Sequence, residues 1–137
     1  MVLQGLIDET CDLRGIYSTG GRVRLDLGKV TQVNSGGVRI WIEAHLNRNP
    51  ETTIVLKKCS PAVVSQINLV SIFSQHHEIE SILGPYFCPK CKRESLQEME
   101  VSALRDGKPL PFTCAECGTD LVFDELPDEY LNFAVDD

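Results

Sequence analysis

Apolar and polar positions repeat with two periods along residues 1–86, one typical of strands and one typical of helices. Residues 22–27 alternate strictly, so Val23, Leu25 and Leu27 share one face of a predicted strand. Residues 52–57 are a compact run rich in β-branched side chains, which is typical of a buried strand. Two further short strands are predicted, at residues 1–7 and 78–83.

Two helices are predicted between these strands. In the first, Val38, Trp41, Ile42 and His45 recur at spacings of three and four residues and predict one buried stripe, preceded by a loop at residues 30–37. The second should begin at a serine cap followed by proline and bury one apolar face: Ser60, Pro61, Val63, Val64, Ile67, Val70 and Phe73. Strands that alternate with helices indicate an α/β layer, with helices packed on a sheet.

Residues 87–137 have a different pattern, so Gly84-Pro85 is the predicted boundary between two domains, 1–86 and 87–137, with separate cores. The elements predicted in the second domain are short: strands at 96–104 and 120–123, a hairpin turn at Asp106-Gly107, and a helix at 127–133.

Two Cys-x-x-Cys pairs mark the second domain: Cys88 and Cys91, then, after twenty-two residues, Cys114 and Cys117, followed by Gly118. Two residues between cysteines let one tight turn direct both thiolates at one metal ion. The spacing resembles that of a zinc ribbon and predicts one Zn²⁺ per chain, which is structural because all four ligands are protein thiolates. Gly118 suits a position that often needs a positive φ. The alternatives are disulfides, or a redox or iron–sulfur site.

The remaining composition favours a cytoplasmic protein. No stretch approaches the roughly 18 apolar residues that would span a bilayer, so no membrane insertion is expected. The first eight residues lack the basic region of a secretory signal. Thiols are reduced in the cytosol, where six cysteines suggest metal binding rather than disulfides.

Charge divides the chain and argues against a nucleic-acid partner. Residues 1–86 hold eight basic and eight acidic side chains, whereas residues 87–137 hold five basic and twelve acidic ones, the whole net charge of −7. Nucleic-acid binding requires clustered Lys and Arg. A ribbon with this charge should not bind DNA or RNA.

Residues 25–42, LDLGKVTQVNSGGVRIWI, resemble the signature of STAS domains, in which a strand leads into Val-Thr-Phe-Ile-Asp-Ser-Ser/Thr-Gly and then a helix. Residues 5–8, GLID, are similar to an early element of the same family. The resemblance covers roughly residues 1–84 and implies a mixed sheet with helices packed on it. This family includes the anti-sigma-factor antagonists and the cytoplasmic domain of sulfate transporters.

The resemblance implies a partner-binding loop at Asn34, Ser35, Gly36 and Gly37, with Ser35 at the position that a partner kinase phosphorylates in the antagonists. Asn34 stands where the family has aspartate, and Gly36 where it has Ser or Thr. The alternative is that Asn34 or Ser35 only caps the helix. Both interpretations stay open on the sequence.

These observations predict a STAS-like α/β domain followed by a small acidic β zinc ribbon. The expected role is non-enzymatic, in signalling, by protein–protein contact. The partners that the resemblance implies are kinase-type anti-sigma factors, ATPases or transporter components. Two other classes remain as alternatives: a nucleic-acid-binding ribbon, and an enzyme or small-ligand binder. A basic patch would favour the first, and a deep polar pocket the second.

Overall fold

A computed structural model of the 137-residue chain describes residues 2–70, 72–73, 77–105 and 107–134. The helices and strands are, in chain order, β1 (Val2–Ile7), α1 (Arg14–Tyr17), β2 (Arg22–Val33), α2 (Ser35–Leu46), β3 (Thr53–Lys57), α3 (Pro61–Leu69), β4 (Glu78–Ile79), β5 (Ser81–Cys88), β6 (Arg93–Glu100), β7 (Val122–Phe123) and α4 (Pro127–Tyr130). Two 3₁₀ turns follow β6 and α4, at Val101–Ala103 and Asn132–Ala134.

The first sheet has the order β1-β2-β3-β4, and all its described pairings are parallel. The expectation of a mixed sheet is therefore wrong for this part of the chain. The physical reason lies in the connections between the strands. A helix follows each strand and returns the chain to the same end of the sheet, so that the next strand runs parallel to the previous one. The α/β layer predicted from the alternation of strands and helices is confirmed.

The second sheet has the order β6-β5-β7 and is antiparallel. It joins the first sheet through the residues that follow β3: the Cys59 N–H donates to the Ser81 carbonyl at 3.1 Å, and the Leu83 N–H donates to the Cys59 carbonyl at 2.8 Å. Strand β5 therefore begins beside the parallel sheet and ends, at Cys88, in the cysteine-rich segment.

The hydrophobic core is continuous, so the expectation of two separate cores is wrong. One cluster of buried side chains contains Ile7 and Leu25 of the parallel sheet together with Tyr86, Met99 and Leu131. Strand β5 runs through Gly84-Pro85 without interruption, which explains the shared core. The domain ranges 1–86 and 87–137 stay a prediction.

Several predicted elements differ from the observed ones in length. Strand β2 continues to Val33, so most of the loop expected at residues 30–37 is strand. Strand β6 ends at Glu100, earlier than predicted, because a 3₁₀ turn follows it. Helix α1 has only four residues and was not predicted. The predicted turn residue Asp106 lies outside the described residues.

Helix α3 is confirmed as predicted at its start: Ser60 is the N-cap, its Oγ accepts from the Val63 N–H at 3.5 Å, and Pro61 is the first helical residue. The longest helix in the described ranges is α2, with twelve residues. No helix there has both the length and the apolar character that a bilayer crossing needs.

Candidate functional site

Four cysteine side chains converge beyond the end of β5. Cys88 is the last residue of that strand, and Cys91 lies in the turn that leads into β6. Cys114 and Cys117 lie in a second turn, closed by a bridge between Thr113 and Asp120. All four Sγ atoms lie within 4.8 Å of one another. The structure therefore brings together the four predicted metal ligands.

The spacing of these sulfur atoms fits tetrahedral coordination. A ZnS₄ tetrahedron with Zn–S bonds of about 2.3 Å has edges of about 3.8 Å. The Sγ atoms of Cys88 and Cys117 are 3.6 Å apart, and those of Cys91 and Cys114 are 3.9 Å apart. All four cysteines are free thiols. The geometry fits a structural metal ion, and four protein ligands complete its shell.

The two cysteine turns have the same backbone conformation. The Lys92 N–H donates to the Cys88 carbonyl at 2.8 Å, and the Gly118 N–H donates to the Cys114 carbonyl at 2.9 Å. The residue after the second cysteine of each pair has positive φ: 58° at Lys92 and 73° at Gly118. The left-handed conformation expected at Gly118 is confirmed, whereas that of Lys92 gave no signal in the sequence.

Polar groups around the sulfur atoms favour the thiolate form at one ligand. The Cys91 N–H donates to Cys88 Sγ at 3.3 Å. The Thr119 hydroxyl lies 3.2 Å from Cys117 Sγ and lowers the pKa of that thiol to about 6. The hydrogen bond with Cys117 raises the pKa of Cys91 to about 12. Thr119 is thus a supporting residue of the metal centre that the motif did not identify.

An ion pair connects the two cysteine turns at the surface. Arg93 Nη1, just after the first turn, lies 2.6 Å from Glu116 Oε1 in the second. Both side chains are more than half exposed, at 66% and 59%, so the pair adds little stability.

The second candidate site is the segment that starts helix α2. Asn34 is the N-cap: its Oδ1 accepts from the Gly37 N–H at 2.8 Å, and its carbonyl accepts from the Val38 N–H at 2.9 Å. Ser35 is the first helical residue and is exposed. Of the two capping residues that the sequence left open, the structure has Asn34 in that role.

Two glycines fit this helix start against the end of β1. A Cβ on Gly37 would lie 2.1 Å from the Ile7 carbonyl oxygen, so only glycine permits the observed contact of helix and strand. A Cβ on Gly36 would lie 2.4 Å from Glu9 Oε2. The Glu9 carboxylate therefore lies over the first turn of α2, where a negative charge is favourable. The sequence did not single out Glu9.

The buried stripe of α2 is displaced from the predicted one. Its buried residues are Gly37, Trp41, Ala44 and His45, whereas Val38 and Ile42 are only half-buried. The short helix α1 causes this, because Tyr17 packs on that side and its hydroxyl accepts from Trp41 Nε1. His45 is 4% exposed and packs edge-on against Tyr17, so it is a core histidine, as expected.

His77 lies in the core of the protein. Its Nε2 lies 2.6 Å from the Tyr17 hydroxyl, and the residue is 7% exposed. His76 lies outside the described residues. His77 belongs to the core rather than to either candidate site.

Comparisons with protein-family models, with curated proteins and with solved structures found no match to this chain. The likeness to STAS domains and to zinc ribbons therefore depends on the motifs alone. The geometry of the two candidate sites is the basis for the proposals that follow.

Proposed function

We propose that the chain is a non-enzymatic cytoplasmic adaptor of the STAS type, which binds a protein partner through the start of α2 and is stabilised by one structural Zn²⁺. One observation carries this proposal: Ser35 is exposed on a backbone that its neighbours hold firmly. The Asn34 cap and the contact of Gly37 with β1 fix the loop on either side of it.

A fixed, exposed loop is suited to recognition. Binding then costs little conformational entropy, because the backbone is already ordered before the partner arrives. The half-buried Val38 and the exposed Arg39 extend the surface along the first turn of α2. The resemblance implies a kinase-type anti-sigma factor, an ATPase or a transporter component as the partner.

Phosphorylation of Ser35 would act on this surface by electrostatics. A phosphate brings about −1.5 to −2 charges. Although the free N–H groups of a helix start attract phosphate, the Glu9 carboxylate already lies over Gly36. The added charge would repel Glu9 and change the surface that a partner contacts. This is the regulatory step that the resemblance implies at Ser35.

Zinc is proposed as the metal because the donor set is four thiolates at tetrahedral spacing. With a full shell of protein ligands, the ion has no position left for substrate. Its role in this proposal is to fold the segment that follows β5.

The test begins with affinity capture from the native cell and mass spectrometry of the partners and phosphosites. Calorimetry then compares the affinity of the captured partner for wild type, Ser35→Asp and Ser35→Ala. Ser35→Asp should weaken binding at least about tenfold, because it places a charge in the interface. Ser35→Ala should retain both binding and stability, since Asn34 makes the capping bond.

The matched control is Ser102→Asp, which adds the same charge at another exposed serine, in the 3₁₀ turn after β6. It should leave the affinity unchanged. If wild type and Ser35→Asp bind the partner equally well, the interface lies elsewhere and the proposal for the α2 loop is wrong.

A further inference from the structure

The antiparallel sheet has an outer face, defined here as Leu83, Pro85, Phe87, Glu94, Leu96, Glu98 and Val122. The register fixes this set, since paired residues of neighbouring strands project from the same side of a sheet. Pro85 pairs with Leu96, and Phe87 pairs with Glu94 on one side and Val122 on the other. The residues in between, such as Tyr86 and Met99, project into the core and are 2% and 0% exposed.

The outer face is apolar and open to solvent. Leu96 is 50% exposed and Val122 is 54% exposed. Pro85 and Phe87 lie between them on the central strand and are half-buried. A cleft of about 430 Å³ lies over this face, lined by Pro85, Glu94, Ser95, Leu96 and Asp124. Large apolar side chains exposed side by side are typical of a surface that binds a partner.

Acidic side chains surround these apolar ones. Glu94 and Glu98 flank Leu96 along β6 at spacings of two residues, so the outer face of this strand has the order acidic, apolar, acidic. Asp124 lies at the opposite margin, where its N–H donates to the Pro85 carbonyl at 2.8 Å. The Glu98 side chain is held in place by a hydrogen bond, because its Oε2 accepts from Ser81 Oγ at 2.9 Å.

Strand β6 is also an edge of its sheet within the described residues. One side of its eight-residue backbone pairs with β5, and no strand of the described residues pairs with the other side. Extended segments bind such edges through main-chain hydrogen bonds, and alternate side chains supply the specificity.

We propose that β6 and the outer face bind an extended segment of a partner protein in which basic and apolar side chains alternate, in the order basic-x-apolar-x-basic. Paired beside β6, such a segment places its basic residues next to Glu94 and Glu98 and its apolar residue next to Leu96. Opposite charges on neighbouring strands stabilise the pairing, and like charges oppose it.

Charge complementarity also selects this occupant over a second copy of the chain. Two β6 strands paired antiparallel about Leu96 would place Glu94 of one copy opposite Glu98 of the other, which is unfavourable at both ends. The outer face is therefore suited to a basic partner segment and unsuited to self-pairing in the register that brings the two Leu96 side chains together. This site is distinct from the Ser35 loop and does not depend on it.

The test uses the zinc-loaded full chain and a fluorescent peptide with the sequence Thr-Lys-Thr-Leu-Thr-Lys-Thr. Fluorescence anisotropy should give saturable binding, at least about tenfold tighter than for a scrambled peptide of the same composition. Two further peptides carry N-methyl groups on alternate residues, one on the odd and one on the even positions. Only the N–H groups of one alternate set of residues point towards β6. The peptide methylated on that set should lose binding, and the other methylated peptide should retain it.

Protein variants then locate the site. Leu96→Asp should weaken binding at least about tenfold, while Leu46→Asp, at a leucine of α2 that is 67% exposed, should not. The double variant Glu94→Lys/Glu98→Lys should lose the basic peptide and bind its Glu-x-Leu-x-Glu counterpart. The control Asp128→Lys/Glu129→Lys makes the same change in net charge on α4. It should still bind the basic peptide and should not bind the acidic one.

Several outcomes would overturn the proposal. They are equal binding of the ordered and scrambled peptides, no effect of Leu96→Asp, binding of both methylated peptides, and dimers that form through β6 in solution. Ser35→Asp should leave the peptide affinity unchanged, so this test and that of the α2 loop can fail independently.

Discussion

The start of α2 and the cysteine turns both hold polar groups in place, but different interactions hold them. At α2 the restraints are local and belong to the folded chain: an asparagine cap, and a glycine against the Ile7 carbonyl. At the cysteine turns, four side chains from segments twenty-two residues apart must approach one point. The first arrangement needs only the protein, whereas the second needs a ligand to hold thiols that would otherwise repel when ionised.

This difference predicts where the molecule is vulnerable. The α2 loop packs on the core through Gly37, so a larger side chain at that position acts through packing. The cysteine turns have few buried neighbours of their own, and Cys91, Cys114 and Cys117 are only half-buried. In the proposed zinc site, their order depends on the metal ion and on strand β5, which continues into the shared core.

Loss of a metal ligand should produce the largest effect. The purified chain is expected to contain one zinc ion, and Cys88→Ser to lose it. Apparent zinc-binding free energies of small domains are about 10–16 kcal/mol, so stability should fall by several kcal/mol. Because Cys88 ends β5 and Tyr86 of that strand is in the shared core, unfolding should extend to the parallel sheet. Elemental analysis and urea denaturation measure both effects.

The control for this change is Cys11→Ser, at a half-buried free thiol outside the cluster, which should retain the metal. A metal-free wild type, purified without chelator and with disulfides among the four cysteines, would contradict the assignment of a metal centre.

Substitution of the α2 glycines should have an intermediate effect that differs sharply between neighbours. Gly37→Ala places a Cβ 2.1 Å from a backbone oxygen of β1, so strand and helix must separate. A cost of about 2–4 kcal/mol in the free energy of unfolding is expected. Gly36→Ala clashes with the end of the flexible Glu9 side chain, which can move aside, and brings its Cβ to 3.4 Å from Asn34 Oδ1, so it should cost less than about 1 kcal/mol.

Urea denaturation of the two variants measures this contrast. Equal costs at Gly36 and Gly37 would mean that the loop is not held by its contact with β1. The α2 loop would then not be fixed by packing, and it would not differ from the cysteine turns in the way described above.

The sequence predicted the local elements better than their assembly. Ser60-Pro61 identified the start of α3, because capping chemistry depends on neighbouring residues alone. The paired Cys-x-x-Cys motifs identified the four side chains that converge, since their spacing has a direct geometric meaning. Both are short-range signals in which the residue types reveal the chemistry.

Long-range contacts gave no comparable signal. The Gly84-Pro85 dipeptide suggested a boundary, yet β5 passes through it and joins the two sheets by pairing near Cys59 and Ile82. Glu9 and Thr119 act on the candidate sites through contacts that depend on the fold. The apolar outer face escaped notice because Leu96 alternates with polar residues and Val122 lies in the apolar run Leu121-Val122-Phe123, and both patterns are also typical of strands with a buried face.

The smallest expected effect concerns the residue after each cysteine pair, where the two turns differ in sequence but not in backbone. Gly118 has φ of 73° and nothing within 4 Å of an added Cβ, so Gly118→Ala should add about 1–2 kcal/mol of left-handed strain and recover about 0.5–1 kcal/mol of unfolded-state entropy, a net cost of up to about 1.5 kcal/mol. Lys92 bears that strain in the wild type. Lys92→Gly removes about 1–2 kcal/mol of strain and adds about 0.5–1 kcal/mol of unfolded-state entropy, so a net gain of up to about 1.5 kcal/mol is expected.

Thermal denaturation of the zinc-loaded variants measures both changes in stability, the loss expected for Gly118→Ala and the gain expected for Lys92→Gly. Opposite signs would show that the two turns share one backbone geometry, with glycine as the better residue in each. If Lys92→Gly destabilises the protein as much as Gly118→Ala does, then the Lys92 side chain itself stabilises the turn. Its contribution would then exceed the strain energy that glycine relieves. Chelator competition for zinc then separates the two explanations, since a contribution from the ammonium charge beside the thiolates would weaken metal binding in Lys92→Gly.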